Sequence, residues 1–228
     1  MKVAILGAMP EEIAPLLSRL QNYETIKYAK NEFYLAKYKN HELVIAYSKI
    51  GKVNSTLTAT LMVEKFGCEI LLFTGVAGAL NEKLKIGDII YATSTAQHDL
   101  DISAFGHPYG YVPGINVYEK TDEKLNNIAK KVATKNGVNL VSGVIVSGDQ
   151  FICDPVKKEW IKSTFDADAV EMEGASVGQV CATLGVPYFL MRAISDEAGG
   201  GAEIDFDKFV VEVANTSAKF VLDMVEYL

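Results

Sequence analysis

The chain has 228 residues, 49% of them hydrophobic, and a formal net charge of −7. A chain this long buries about 70% of its unfolded surface and needs no covalent staples. Its acidic balance, with acids and bases interspersed, disfavours nucleic acid or anionic membrane as a partner, and no apolar stretch approaches the roughly 20 residues of a membrane span.

Taken in chain order, Val3 to Leu6 is a short, continuously apolar run, as expected of a strand buried on both faces. Preceded only by Met1-Lys2 and halted by Gly7, it is too short for a signal segment, which points to the cytoplasm. Pro10 sits where a helix can begin, with Glu11 and Glu12 in its first turn and Ile13, Leu16, Leu17 and Leu20 on one face. Residues 32–38 and 42–48 read as two strands joined by a tight turn at Lys39-Asn40-His41. A helix from about 53 to 66, closed by Gly67, leads into a buried strand at 70–73 and then into Gly75-Val76-Ala77-Gly78, read as a glycine-rich turn.

Strand signals resume at 87–96, whereas 99–118 is rich in Gly, Pro and aromatics and has no clear period. Thr121 can cap a helix that ends at Gly137; a strand at 140–146, a helix at 155–164, a strand at 168–171 and a helix at 174–184 follow. Residues 187–194 form the last buried strand, Gly199-Gly200-Gly201 a flexible break, and 205–227 a final amphipathic helix. Strands and helices alternate without linker or repeat, so the chain is expected to be a single α/β domain with a central mixed, mostly parallel sheet flanked by helices.

Several chemistries are excluded by spacing. There is no G-x-G-x-x-G after a strand, and Ile50-Gly51-Lys52 lacks the flanking residues of a phosphate-binding loop. Gly174-Ala175-Ser176-Val177-Gly178 matches a nucleophile elbow, but His41, His98 and His107 all precede Ser176, whereas a triad of that kind needs a later histidine. Ser176 is therefore read as a small packing residue. His98 is read as a satisfied structural histidine, and no metal is expected. Cys68, Cys153 and Cys181 are too far apart for a zinc or redox motif and read as buried thiols.

Three acids remain. Glu12, Glu173 and Asp196 each follow a buried strand, and if those strands run parallel their carboxylates meet at one sheet edge, where ligands of open α/β sheets bind. Acids in first helical turns also serve simply to offset the helix dipole, but three at equivalent places beside glycine-rich turns favour a site. Carboxylates without histidine or metal suit acid–base hydrolysis through an oxocarbenium-like state.

The segments Gly7-Ala8-Met9-Pro10-Glu11-Glu12, Ser48-Lys49-Ile50-Gly51-Lys52-Val53, Thr74-Gly75-Val76-Ala77-Gly78, Val146-Ser147-Gly148-Asp149-Gln150-Phe151, Val170-Glu171-Met172-Glu173 and Arg192-Ala193-Ile194-Ser195-Asp196 resemble the bacterial 5′-methylthioadenosine/S-adenosylhomocysteine nucleosidases, in order along nearly the whole chain. That family lies in the purine nucleoside phosphorylase-like group. The resemblance implies a homodimer that uses no cofactor and acts on small adenine nucleosides, in methionine salvage and adenosylmethionine recycling. It further implies that Asp196 is the general acid at adenine N7 and that Glu12, with Arg192 nearby, activates water. Glu173 would bind the ribose hydroxyls with Met172 against the sugar, Phe151 would stack on adenine, and the Ile152 backbone would read its edge. Ala77, Gly78 and Ser195 would complete the substrate site. Met9, Ile50 and Phe206 would line the 5′ pocket, completed across the dimer by Ile102, Phe105 and Pro113. Several relatives carry Ser where this chain has Val76, removing one polar contact to water or sugar. Some similar enzymes also cleave aminodeoxyfutalosine, a menaquinone precursor, and 5′-deoxyadenosine belongs to the same substrate range. The alternatives are a phosphorylase on the same scaffold and a silent nucleoside sensor.

Overall fold

Continuously apolar strands with helices between them assemble here around one strand, the last. In the computed structural model, which describes Met1–Leu228, the chain begins with β1 (Lys2–Gly7), α1 (Pro10–Arg19), β2 (Tyr23–Tyr28), β3 (Asn31–Tyr38), β4 (His41–Tyr47) and α2 (Lys52–Glu64). It continues through β5 (Ile70–Phe73), β6 (Val76–Ala79), β7 (Ile89–Gln97), β8 (Glu119–Lys120) and α3 (Glu123–Asn136). The remainder comprises β9 (Leu140–Ser147), α4 (Pro155–Phe165), β10 (Ala169–Glu171), α5 (Gly174–Leu184), β11 (Tyr188–Asp196) and α6 (Ala202–Val225).

All eleven strands form one sheet in the order β2-β3-β4-β1-β5-β11-β6-β10-β9-β7-β8. β1, β4, β5 and β11 run parallel, and every residue of β11 is buried. β11 also pairs antiparallel with β7, so β11, β6, β10, β9 and β7 close into a ring. Helices cover both faces: α1, α3 and α6 pack on one apolar cluster, α2 and α5 on the other. The mixed α/β architecture is the one the alternation of elements predicts.

The differences from the sequence reading have physical causes. β2 has no sequence signature because it is an edge strand with almost all of its residues exposed, so no buried face imposes alternation. Residues 76–79 are a buried strand, not a turn; the small residues Ala77, Gly78 and Ala79 let it lie between β11 and β10. The cap of α3 is Asp122, whose carboxylate accepts from Leu125 N–H at 2.9 Å, while Thr121 donates to the Ala92 carbonyl. α6 starts three residues earlier than its apolar spacing suggests. Cys68 and Cys181 are buried, but Cys153 is exposed. His98 is buried, yet neither ring nitrogen has a protein partner.

Candidate active site

β6 lines one cavity, and the three acids singled out in the sequence gather around it. They do not do so by sharing one sheet edge. β10 runs antiparallel to β6 and hence opposite to β11, so Glu173 arrives from the opposite direction to Asp196. Direct pairing of β6 with both β10 and β11, which no local pattern encodes, brings them to one cavity.

At the Gly78 end, Asp196 terminates β11. Its Oδ2 accepts from the Ser195 hydroxyl at 2.9 Å and its Oδ1 from Ala198 N–H at 2.8 Å. Ala198 holds a left-handed backbone (φ 48°), an unfavourable conformation for a residue with a Cβ, and it aims the N–H at the carboxylate. Burial pushes the Asp196 carboxyl above its ordinary value, against the two hydrogen-bond donors. A Cβ on Gly78 would stand 2.7 Å from Asp196 Oδ1, so only glycine admits the acid there.

At the Val76 end, Glu12 reaches inward from the first turn of α1, 3% exposed. Its Oε2 accepts from Ala8 and Met9 N–H, and its Oε1 from Val76 N–H at 3.0 Å. Burial raises its pKa, opposed by Arg192 and by these three backbone donors. The Val76 contact is made by the backbone, so the missing hydroxyl at this position does not remove it. Gly75 supplies the necessary room: a Cβ there would lie 2.5 Å from Glu12 Oε1 and 3.2 Å from Arg192 Nη1.

Glu173 also lies toward the Val76 end, at the N-terminus of α5. Its Oε1 accepts from Gly51 N–H at 2.8 Å. Burial and the neighbouring Glu171 raise its pKa to about 8. Arg192 does not line the cavity. It is 1% exposed beneath it, donating to Glu171 at 2.6 Å and lying over the Phe73 ring, 4.1 Å from its centroid. Desolvation works against the Arg192 charge, but Glu171, Glu12 and Glu173 together hold its pKa above the ordinary value.

The cavity is about 430 Å³ in volume. Its lining includes Met9, Glu12, Ile50, Ala77, Gly78, Phe151, Ile152, Met172, Glu173, Ser195, Asp196 and Phe206, all named from sequence. Phe151 and Phe206 meet edge to face, ring centroids 5.8 Å apart. Ile102, Phe105 and Pro113 are not part of the wall that a single chain builds. Glu171 is the functional residue that sequence reasoning missed. It accepts from Ser147 Oγ, Glu173 N–H and Gly174 N–H as well as from Arg192. A signal existed: an acid and an arginine inside two otherwise apolar strands must find each other or stay out of the core. Six of the twenty lining residues are Asp or Glu (12, 171, 173, 196, 203 and 207), and none is Lys, Arg or His.

The phosphorylase superfamily model matches residues 2–226. The chain is 62% identical to the aminodeoxyfutalosine nucleosidase of Campylobacter jejuni, over all of both chains. It is 40% identical to the 5′-methylthioadenosine/S-adenosylhomocysteine nucleosidase of Staphylococcus carnosus, over 99% of this chain and all of the relative. A crystal structure of the Helicobacter pylori 5′-methylthioadenosine/S-adenosylhomocysteine nucleosidase with butyl-thio-DADMe-Immucillin-A superposes with a TM-score of 0.99 at 48% identity, covering all of this chain and 99% of that one. With its sequence and fold matched over essentially their full length, the chain belongs to the phosphorylase superfamily and, within it, to the nucleosidase family these relatives represent.

Proposed function

We propose that this protein is an N-ribosyl hydrolase that releases adenine from 5′-substituted adenosines, among them methylthioadenosine, adenosylhomocysteine and aminodeoxyfutalosine. The observation that carries the assignment is the placement of Asp196 and Glu12 at opposite ends of β6, on one cavity that Glu173 also lines. Asp196, whose carboxyl burial pushes above its ordinary value, donates to adenine N7 as the C1′–N9 bond breaks. Glu12 takes a proton from the water whose oxygen bonds to C1′, and solvent later restores both groups. Glu173 hydrogen-bonds the ribose hydroxyls with Oε2, since Gly51 occupies Oε1. Phe151 stacks on the base, the Ile152 backbone reads its edge and Met172 supports the sugar. Met9, Ile50 and Phe206 enclose the 5′ substituent.

Water is favoured over phosphate as the nucleophile by the wall of the cavity. A phosphate dianion would meet acids and no free cation, because Arg192 is already paired with Glu171. We further infer a cytoplasmic homodimer. Phe105 is 82% exposed on the segment that also holds Ile102 and Pro113, an apolar surface for a second copy to cover. Three free cysteines and no disulfide fit a reducing compartment.

Adenine release should proceed in phosphate-free buffer with each of the three nucleosides at matched concentration. Strict dependence on added phosphate would reverse the reaction class, and failure on all three would end the assignment.

A further inference from the structure

The N–H that holds Glu173 belongs to Gly51, and the loop around Gly51 is fastened by groups outside the cavity. Lys52 Nζ lies 2.6 Å from Asp99 Oδ1 and 3.1 Å from Gln97 Oε1. Asp99 Oδ2 in turn accepts from Asp149 N–H at 2.9 Å, and Asp149 Oδ1 accepts from Lys52 N–H at 2.8 Å. The bonds form a closed cycle through three segments: the start of α2, the end of β7 and the loop that carries Phe151. Asp149 thereby supplies the N-terminal cap that α2 lacks from its own side chains. Lys52 and Asp99 are largely shielded, so the pair is not a screened surface contact.

Backbone conformation shows why such fastening matters. Lys49 sits in the left-handed region (φ 72°) and so does Gly51 (φ 98°), where a Cβ would stand 3.0 Å from Asp149 Oδ1. A loop with two such residues keeps one conformation only when its surroundings fix it. This loop delivers Ile50 to one cavity wall and the Gly51 N–H to Glu173, while the Asp149 loop delivers Phe151.

We propose that Lys52, Asp99 and Asp149 are positioning residues that lock the Gly51 N–H onto Glu173 Oε1 and so keep Oε2 aimed at the ribose hydroxyls. The proposal rests on the assignment of Glu173 to ribose, and its test separates the two. kcat and KM are measured for methylthioadenosine and for its 2′,3′-dideoxy analogue in the wild type and in Asp149→Ala, Lys52→Met, Asp149→Asn and Glu173→Gln. Asp149→Ala and Lys52→Met should each reduce the preference for the hydroxylated substrate about tenfold, mainly through KM, as loss of one charge-assisted contact implies. Asp149→Asn keeps the acceptor oxygen and should restore the preference. Equal losses on both substrates in Asp149→Ala and Lys52→Met, or no loss in either, overturn the proposal. An unchanged preference in Glu173→Gln overturns the ribose assignment itself, and the proposal with it.

Discussion

At the Gly78 end of β6, Asp196 meets two neutral donors and no ion-pair partner; at the Val76 end, Glu12, Glu171 and Glu173 crowd around the fully buried Arg192. Glu12 and Asp196 are equally buried, so the difference is in how charge is supported. A carboxyl desolvated without a paired cation holds its proton more tightly than a free one, which suits a donor to a leaving base. At the Val76 end Arg192 and three backbone N–H groups oppose the upward push of burial on Glu12, support that suits an acid required to take up a proton. One short strand separates the two environments, the separation that the opposite roles proposed for Asp196 and Glu12 require.

Substitutions can break this contrast in a graded way. The largest effect is expected from Asp196→Asn, which keeps an oxygen for Ala198 N–H and lets Ser195 reverse its hydrogen bond, yet cannot donate an acidic proton. Adenine release should fall by about 10²–10⁴-fold with an unchanged melting temperature; near-normal turnover would remove Asp196 from the acid role. Glu12→Gln should cost a comparable factor but is a less clean variant, because the new NH₂ faces donor groups on every side.

Arg192→Met comes next. It leaves Glu171 buried beside Glu12 and Glu173 without their shared cation, and denaturant unfolding should reveal a loss of about 3–5 kcal/mol. A variant as stable as the wild type would mean that the acids at this end are neutral and do not need the arginine.

A pH trend sharpens the contrast further. Glu173 has a folded pKa of about 8 against an ordinary 4.5. The folded state therefore binds the proton more tightly, and this contribution is fully present below about 4.5 and is lost as pH rises through about 8. Unfolding free energies measured from pH 5 to 9 should decline more in the wild type than in Glu173→Gln. Parallel profiles for the two proteins would show that Glu173 titrates at its ordinary value.

Much of the fold was legible because buried strands leave continuous apolar runs and helices end at glycines such as Gly137 and Gly185. β2 was not legible, since an exposed edge imposes no pattern, nor was β6, whose small residues read as a turn. In the site, Glu12, Glu173 and Asp196 could be singled out by their position after strands. Glu171 was harder to single out, because its signal appears only when it is read together with Arg192, a partner twenty-one residues away.

The sequence by itself determined the element types, the α/β class and the set of acids available for chemistry, because these follow from side-chain periodicity and residue type within short windows. Only the tertiary structure decided that β10 runs against β11, that the ring closes through β7, and that Arg192 is bound beneath the cavity and not exposed within it. Strand direction and ion pairing depend on contacts between distant segments, and the free energy of burying a charge is fixed by neighbours that no local window contains.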